Sequence, residues 1–379
     1  MRIGFVTGEY PPLQGGVGAF THELARALVE QHHAIYVLTD HRVPSGSVDA
    51  IHVEGRVQGW NRASLFAVRH WAQVNRLDVV NLQYEAAAFQ MAQLVHLMPR
   101  LLGAIPTITT FHDLLVPYLF PKAGSLRFRA LLALARASDG VIVTNAPDEQ
   151  RLRAEGELKR LCNIPIGSNI AVDLPPGYDR AAWRAKLRIP TEATLVGYFG
   201  FINASKGVDT LLEALAQVTN THLLMIGGRT GSSDPTNQQA ADEIDRLIAG
   251  LGLQSRVQWV GFVEGQQVSA NLIACDMLAL PYRDGVSLRR GSFMAALAHS
   301  CAIITTHPDG DLPEVQDRVQ ALLVPPNSPQ ALAAAIRELA ADPALRESLQ
   351  TNAGILAERF TWDHIAAQTA AFYRDSIGA

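Results

Sequence analysis

The sequence is poor in several features that would mark out a class of protein. Only three cysteines, Cys162, Cys275 and Cys301, occur in 379 residues; they lie far apart and match no metal-ligand spacing. This argues against a disulfide scaffold or a zinc module and for buried free thiols in a reducing compartment. Positive charge is not in excess. With 32 Lys and Arg against 36 Asp and Glu, the formal net charge is -4, so no basic field points to nucleic acid and none is expected as a partner. No uncharged apolar run reaches the roughly 18 residues of a membrane-spanning helix. Met1 leads directly into Ile3–Gly8, which reads as a strand and not as a charged segment before an apolar one. The expectation is a cytoplasmic protein without a signal peptide. The phosphate-loop pattern GxxxxGK[ST] is also absent.

What is present is alternation. At 48% hydrophobic and 18% charged residues, the composition is ordinary for an α/β protein, and the length favours two domains. The stretch Val196–Leu215 organises the second half. Val196, Tyr198 and Phe199 form an uncharged run that suits a strand buried on both faces, and Gly200 ends it. Phe201 to Ser205 is a small polar loop, and Val208, Leu211, Leu212 and Leu215 then recur at helical spacing. Ser205 is the expected N-cap. Lys206 and Gly207 fall at the helix start, where backbone N–H groups and a cation suit a phosphate. The plainer reading of Lys206 is a solvated residue in a strand-to-helix turn.

In the first half, strands are expected at Ile3–Thr7, Ala34–Leu38, Asp78–Leu82, Thr107–Thr110, Gly140–Thr144 and Ile164–Ile166. Gly16 and Gly18 open a helix, but Thr21 stands where a dinucleotide fingerprint needs its third glycine, so that reading fails. In an open α/β sheet ligands sit beyond the carboxyl ends of strands, and Glu85, His112 and Asp113 follow two such ends. The stretch Pro121–Ser138 mixes Leu126, Phe128, Leu131, Leu132 and Leu134 with Lys122, Arg127, Arg129 and Arg136. It reads as a solvated helix face, or as a dock for an anionic membrane surface. Pro175, Pro176 and Gly177 suggest a linker. Beyond it, strands are expected at Leu195–Phe199, His222–Ile226, Val257–Val260, Met277–Leu280 and Ile303–Thr305. Two doubly wound α/β domains follow from the alternation.

Taken together and in order, these cues resemble the family-4 retaining glycosyltransferases of the GT-B fold: GEYPPLQGGVG after the first strand, LQYE, TFHD, FGFINASKG, LLMIGG, RVQWVGFV, the turn at Asp284 and Gly285, and AALAHSCAIITT. The resemblance spans essentially the whole chain. It implies two Rossmann-like domains facing each other across a cleft: residues 1–172 on the acceptor side, joined by a returning terminal helix at 360–379, and residues 187–359 binding a nucleotide-activated sugar. It implies a nucleotide-diphosphate sugar as donor and a saccharide, lipid-linked or small-molecule acceptor. No metal and no cofactor are expected, and peripheral contact with the inner face of the membrane is one reading of the N-terminal domain.

Residue by residue, Lys206 corresponds to the lysine that neutralises the donor diphosphate, Gly16 to the loop whose backbone approaches donor sugar and phosphate, and His112 to the histidine beside the reacting carbon. His112 and Lys206 are thus the catalytic candidates. The donor side gathers Gly16, Asn203, Lys206, Asp284, Gly285, Ser287, Arg289, Arg290, Gly291 and Ser292, with Ser292 the expected N-cap of the following helix. Gly15, Val17, Glu85 and Asp113 are the acceptor-side candidates. Two departures stand out. Phe201 occupies the place of the family's usual arginine, and Ala295 that of the glutamate that contacts ribose; the intervening turn is longer and carries Arg289 and Arg290, candidates to replace the missing arginine. A sugar-nucleotide epimerase of the same fold and a non-catalytic binding protein are the rival readings. The first would need more carboxylates than Glu85, Asp113 and Asp284; the second rests on Phe201 and Ala295.

Overall fold

The computed structural model describes residues 1–13, 15–114, 124–168, 170–228 and 236–378. Along the first part of the chain run β1 (Arg2–Thr7), α1 (Gly16–Glu30), β2 (Ala34–Asp40), β3 (Gly46–Val48), β4 (Ile51–Val57), α2 (Arg62–Val74), β5 (Val79–Tyr84), α3 (Met98–Leu102), β6 (Thr107–Phe111), α4 (Gly124–Ala137), β7 (Gly140–Val143), α5 (Ala146–Ala154) and β8 (Leu161–Asn163). There follow α6 (Arg180–Lys186), β9 (Thr194–Phe199), α7 (Val208–Ala216), β10 (Thr221–Ile226), α8 (Thr236–Gly250), β11 (Val257–Gly261), α9 (Gly265–Ala274), β12 (Met277–Leu280), α10 (Gly291–Ala298), β13 (Ile303–Thr306), β14 (Leu322–Val324), α11 (Pro329–Ala341), α12 (Pro343–Ala357) and α13 (Trp362–Ile377). They form two units, Met1–Asn169 with Phe360–Ala379, and Ile170–Arg359. Both units are Rossmann-like, so the fold is α/β as the alternation implies.

In the first unit the sheet order is β3-β4-β2-β1-β5-β6-β7-β8. Every pairing is parallel except β3 with β4. β1 is central, and Ile3, Phe5 and Val6 are fully buried. Gly4 between them lets α2 lie close: a Cβ there would stand 2.3 Å from Leu77 Cδ1 and 2.9 Å from the Trp71 ring. Phe20, Leu24, Ala27 and Leu28 give α1 one buried face. Ile365, Ala366, Ala370 and Tyr373 of α13 join the same core cluster. Trp362 fixes the start of α13, its ring 5.4 Å from Phe20 and its Nε1 donating to Ser168 O at 2.8 Å.

The second unit has the order β11-β10-β9-β12-β13-β14, parallel throughout. Residues 170–178, around the expected linker, pack on α9. The Ser269 hydroxyl bonds to Ala171 O at 2.9 Å and accepts from Asp173 N at 3.2 Å, and the Tyr178 hydroxyl donates to Ala270 O at 3.1 Å. In each sheet the strand order reverses once, between β1 and β5 and between β9 and β12. The crevices at the carboxyl ends of those pairs are where an open α/β sheet takes a ligand.

One strand expected from the sequence changes, and two elements appear that it did not suggest. The last strand of the first sheet is Leu161–Asn163 and not Ile164–Ile166. Ile164 N still donates to Val143 O at 2.9 Å, and the ladder stops there, where β7 itself ends. The β3–β4 hairpin and β14 went unseen: β3 is exposed along its length, β4 alternates buried with exposed residues, and β14 is only three residues long. In the basic stretch, Pro121, Lys122 and Ala123 lie outside the described residues, and Leu131, Leu132 and Leu134 are buried in the core of the unit. Among the described residues no helix is long and apolar enough to cross a membrane.

Asp276, just before β12, ties the second unit together. It accepts from Leu195 N at 2.7 Å, from Arg180 at 2.6 Å and from Arg184 at 3.1 Å, and Arg184 also donates to Ala193 O and Ala274 O. Burial alone would raise the carboxyl pKa, but the Leu195 amide and the two guanidiniums outweigh it, and the pKa lies below the ordinary value. The folded pKa is therefore lower than the unfolded one. The ionised carboxylate stabilises the fold above the unfolded value near about 4, and that contribution is lost as pH falls through the folded pKa. Asp276→Asn should cost about 2 kcal/mol at pH 7, measured by urea unfolding, and the gap to wild type should close under acid. Equal gaps at pH 7 and pH 3 would show that the charge contributes nothing.

Candidate active site

In the second unit the loop after β9 is shaped by its backbone. Gly200 takes a φ of +135° and Gly227, at the end of β10, lies against it: a Cβ on Gly227 would stand 3.1 Å from Gly200 O. Asn203 Oδ1 accepts from Ser205 N at 3.1 Å and from Ser205 Oγ at 2.9 Å, closing a 3-10 turn over Ala204–Lys206. Gly207 then takes a φ of +65° and opens α7, where a Cβ would stand 2.1 Å from Pro281 O. Arg283 N donates to Ser205 O at 2.9 Å. The loop holding Lys206 is thus stitched to the loop after β12, across the strand-order reversal. Ser205 is not the helix cap expected of it. The short turn needs an Asx side chain at its head, and Gly207 in the left-handed region starts the helix instead.

Tyr282 is fully buried at this junction. Lys206 Nζ lies 5.1 Å from the centre of its ring and the Arg290 guanidinium 4.5 Å. Burial pushes the Tyr282 hydroxyl far above its ordinary pKa, even though Ser292 and Arg290 act the other way. The phenol stays neutral, and its face is a seat for cations. Burial first, and then the charge on Arg290, bring the Lys206 pKa down from 10.5 to about 8, while Asp284 opposes the shift. Asp284 is ion-paired with Arg290, but its side chain is 57% exposed. Two cations therefore share one neutral ring with one largely solvated carboxylate.

Ser292 does not cap α10, as the sequence suggested. Its hydroxyl is 2.7 Å from the Tyr282 hydroxyl, and the helix begins at Gly291 with Arg290 in the cap position and no side-chain cap. A buried phenol needs a partner, and Ser292 is the near one. Gly285 takes a φ of +80°, where a Cβ would stand 2.6 Å from Asp309 N; only glycine fits this acid–glycine turn. Ser287 O accepts from Arg290 N at 3.1 Å and orients the residue. Arg289 and Gly291 are exposed. Ala295 is fully buried.

In the first unit His112 is 7% exposed at the end of β6, its Nε2 2.7 Å from Gln83 Oε1 and its ring edge-on to Phe20 at 4.8 Å. Asp113 follows it, half-buried. Glu85 accepts from Ala87 N at 3.1 Å and Ala88 N at 2.7 Å, which holds the turn after β5. Gly15 precedes α1 and Gly16 opens it with open space around it. Glu9 Oε1 accepts from Val17 N at 2.9 Å and Gly18 N at 3.1 Å, so the first amides of α1 bind the chain's own carboxylate. Lys206, Asp284, Arg290 and Ser292 thus come together around Tyr282, while His112, Gly15, Gly16, Val17 and Glu85 belong to the other unit. Sequence reasoning missed Tyr282 and Glu9. The signal for Tyr282 was an aromatic with a hydroxyl directly after a strand end.

Comparison with known proteins places the chain in a family. Residues 179–354 match the family described as Glycosyl transferases group 1, and residues 14–170 match Glycosyltransferase Family 4. The D-inositol 3-phosphate glycosyltransferase of Jonesia denitrificans is 28% identical over 221 residues, 55% of this chain and 50% of that protein. The chain matches about half the length of this and the similar curated inositol-phosphate enzymes. The alpha-D-kanosaminyltransferase of Streptomyces kanamyceticus is 25% identical over 93% of this chain and 99% of its own. Among solved structures, Anabaena Alr3699/HepE in complex with UDP superposes with a TM-score of 0.78 at 20% identity, covering 99% of this chain and 100% of that one. Sucrose-phosphate synthase of Thermosynechococcus elongatus gives 0.76 at 22%, covering 100% and 99%. The chain belongs to the family-4-like glycosyltransferases of the GT-B fold.

Proposed function

We propose that this chain moves a sugar from a nucleoside-diphosphate sugar to an acceptor, with retention of configuration and without a metal. The observation that carries the reading is the pair of half-buried cations over Tyr282. Lys206 and Arg290 repel one another, and the depressed Lys206 pKa reflects part of that cost. A diphosphate relieves it. As the glycosidic bond breaks, the leaving nucleoside diphosphate gains negative charge, which fixed cations and the uncapped start of α10 stabilise without reorganisation. The Arg290 fork binds two phosphate oxygens at once, and so supplies the cation that position 201 lacks. His112 acts beside the reacting carbon, as the family resemblance implies. Retention follows from attack on the face that the diphosphate leaves, guided by that diphosphate. UDP and UDP-glucose, bound by Alr3699/HepE, are the first donors to test. The acceptor is a saccharide, a lipid-linked or a small molecule; a lipid-linked one would bring the first unit to a membrane surface.

A donor that binds only the folded protein should raise the melting temperature; at about a hundred times its Kd the gain is about 2.7 kcal/mol. UDP-glucose and other nucleotide sugars should include at least one that does so and is then turned over. His112→Ala should keep the thermal shift and lose turnover. Absence of any shift across the common nucleotide sugars would sink the reading.

Lys206→Ala should lower turnover about ten- to a hundredfold while the protein stays folded, because a hydrogen bond to a charged group is worth about 1.5–3 kcal/mol. The free ammonium titrates near pH 8, and the diphosphate binds its charged form. Affinity for UDP should therefore fall as pH rises through about 8, and Lys206→Arg should flatten that profile. An unchanged alkaline limb in Lys206→Arg would assign the titration elsewhere.

Arg290→Ala should weaken UDP binding about tenfold or more. Phe201 is 47% exposed, so an arginine there is tolerated, and Phe201→Arg added to Arg290→Ala should restore part of the loss. If Arg289→Ala and Arg290→Ala both bind UDP as wild type does, the replacement idea is wrong.

A further inference from the structure

β5 and β6 carry polar side chains where a buried parallel sheet ordinarily carries Val, Ile or Leu. Asn81 and Gln83 stand two apart on β5 and share a face, opposite Ile108 and Thr110 of β6. Asn81 and Gln83 are fully buried, and Thr110 and His112 nearly so. Each costs free energy there unless it is hydrogen-bonded. Together they form one chain of hydrogen bonds that reaches His112 Nε2.

A backbone atom sets the direction of that chain. Asn81 Nδ2 lies 3.3 Å from Ile108 O, which can only accept. The opposite amide orientation would set two acceptors against each other. Asn81 Oδ1 therefore faces Gln83 and accepts from its Nε2. The Thr110 hydroxyl braces Asn81, accepting from its Nδ2 at 3.0 Å and lying 3.2 Å from its Oδ1. With its nitrogen committed to Asn81, Gln83 turns Oε1 toward His112 Nε2 at 2.7 Å. Since Oε1 only accepts, the proton must sit on Nε2.

We propose that Asn81 and Gln83 are positioning residues that hold neutral His112 in its Nε2–H tautomer, which makes Nδ1 the basic atom of the ring. The bond made by one imidazole nitrogen decides the state of the other, and Phe20 fixes the ring from the side of α1. The tautomer stands on the geometry alone. Its consequence for turnover rests on the reading of His112 as the residue beside the reacting carbon.

The test is imidazole ¹⁵N NMR on the full chain, with His112 assigned by difference from His112→Ala. Neutral His112 in wild type should carry its proton on Nε2. Gln83→Met, similar in shape but without the acceptor, should lose that preference, whereas Gln83→Glu, which keeps an oxygen facing Nε2, should retain it. A proton on Nδ1 in wild type, or an unchanged tautomer in Gln83→Met, overturns the proposal. The wild-type spectrum decides even if the methionine variant fails to fold. Gln83→Met should also lower kcat for UDP-glucose about tenfold with KM within about twofold. A shifted tautomer with normal turnover would confirm the relay and remove His112 from the reaction.

Discussion

Each sheet has one place that its connections cannot cover. In the first unit β2 and β4 lie to one side of β1 and β5 to β8 to the other; in the second, β10 and β11 lie to one side of β9 and β12 to β14 to the other. Where the order reverses, the outgoing chains depart in opposite directions and leave the strand ends bare. Lys206 and Tyr282 follow β9 and β12 at such ends, and His112 stands one strand further out, at the end of β6. The loops are then held by close backbone approach, Gly207 on Pro281 and Gly285 on His307 to Asp309. Side chains at these loops are thereby released to face a ligand.

That freedom has an electrostatic consequence. A cation drawn partly out of water must find compensation nearby. Lys206 and Arg290 find it in the face of a neutral, buried phenol, and the single carboxylate of Asp284 serves both. The local charge is left positive at the only kind of place where an open α/β sheet takes a ligand. The first unit does the reverse. There Glu9 occupies the amides at the start of α1, so that helix end is already neutralised by the chain itself. The second unit sets cations beside its helix start, whereas the first amides of α1 are already taken by Glu9.

The fold class was legible because its signal is long-range and redundant. Central parallel strands such as Val79–Tyr84 are uncharged runs, and helices such as α7 show a single apolar face. The strands β3, β4 and β14 were not, being exposed, of alternating burial or only three residues long. Lys206 and Asp284 could be picked out because a motif fixes their places in the chain, and Arg290 because it departs from that motif. Tyr282 and Gln83 could not. Their significance lies in what they touch, Lys206 and Arg290 for one and His112 for the other, and those partners are distant in sequence. Ser205 and Ser292 misled for a related reason. Residue type names a capacity to cap, but Asn203 and the buried Tyr282 hydroxyl decide how the capacity is used.

The departures at Phe201, Ala295 and Arg290 make one pattern. Ala295 is fully buried, and its carbonyl accepts from His299 N at 3.0 Å and lies 2.8 Å from His299 Nδ1. His299 Nε2 in turn meets the Ser269 hydroxyl at 2.8 Å. Helix α10 is therefore a core helix, with Phe293 to Leu297 buried, and it can offer a ligand only its start and the arginine before it. A carboxylate at position 295 would have to begin inside that packing. The turn from Asp284 to Gly291 carries Arg290 to the Tyr282 ring, the same ring that Lys206 approaches. What such a site must conserve is the position of positive charge above that ring. On the proposed reading, an arginine at the helix start at 290 would supply to a diphosphate the charge that the strand end at 201 lacks.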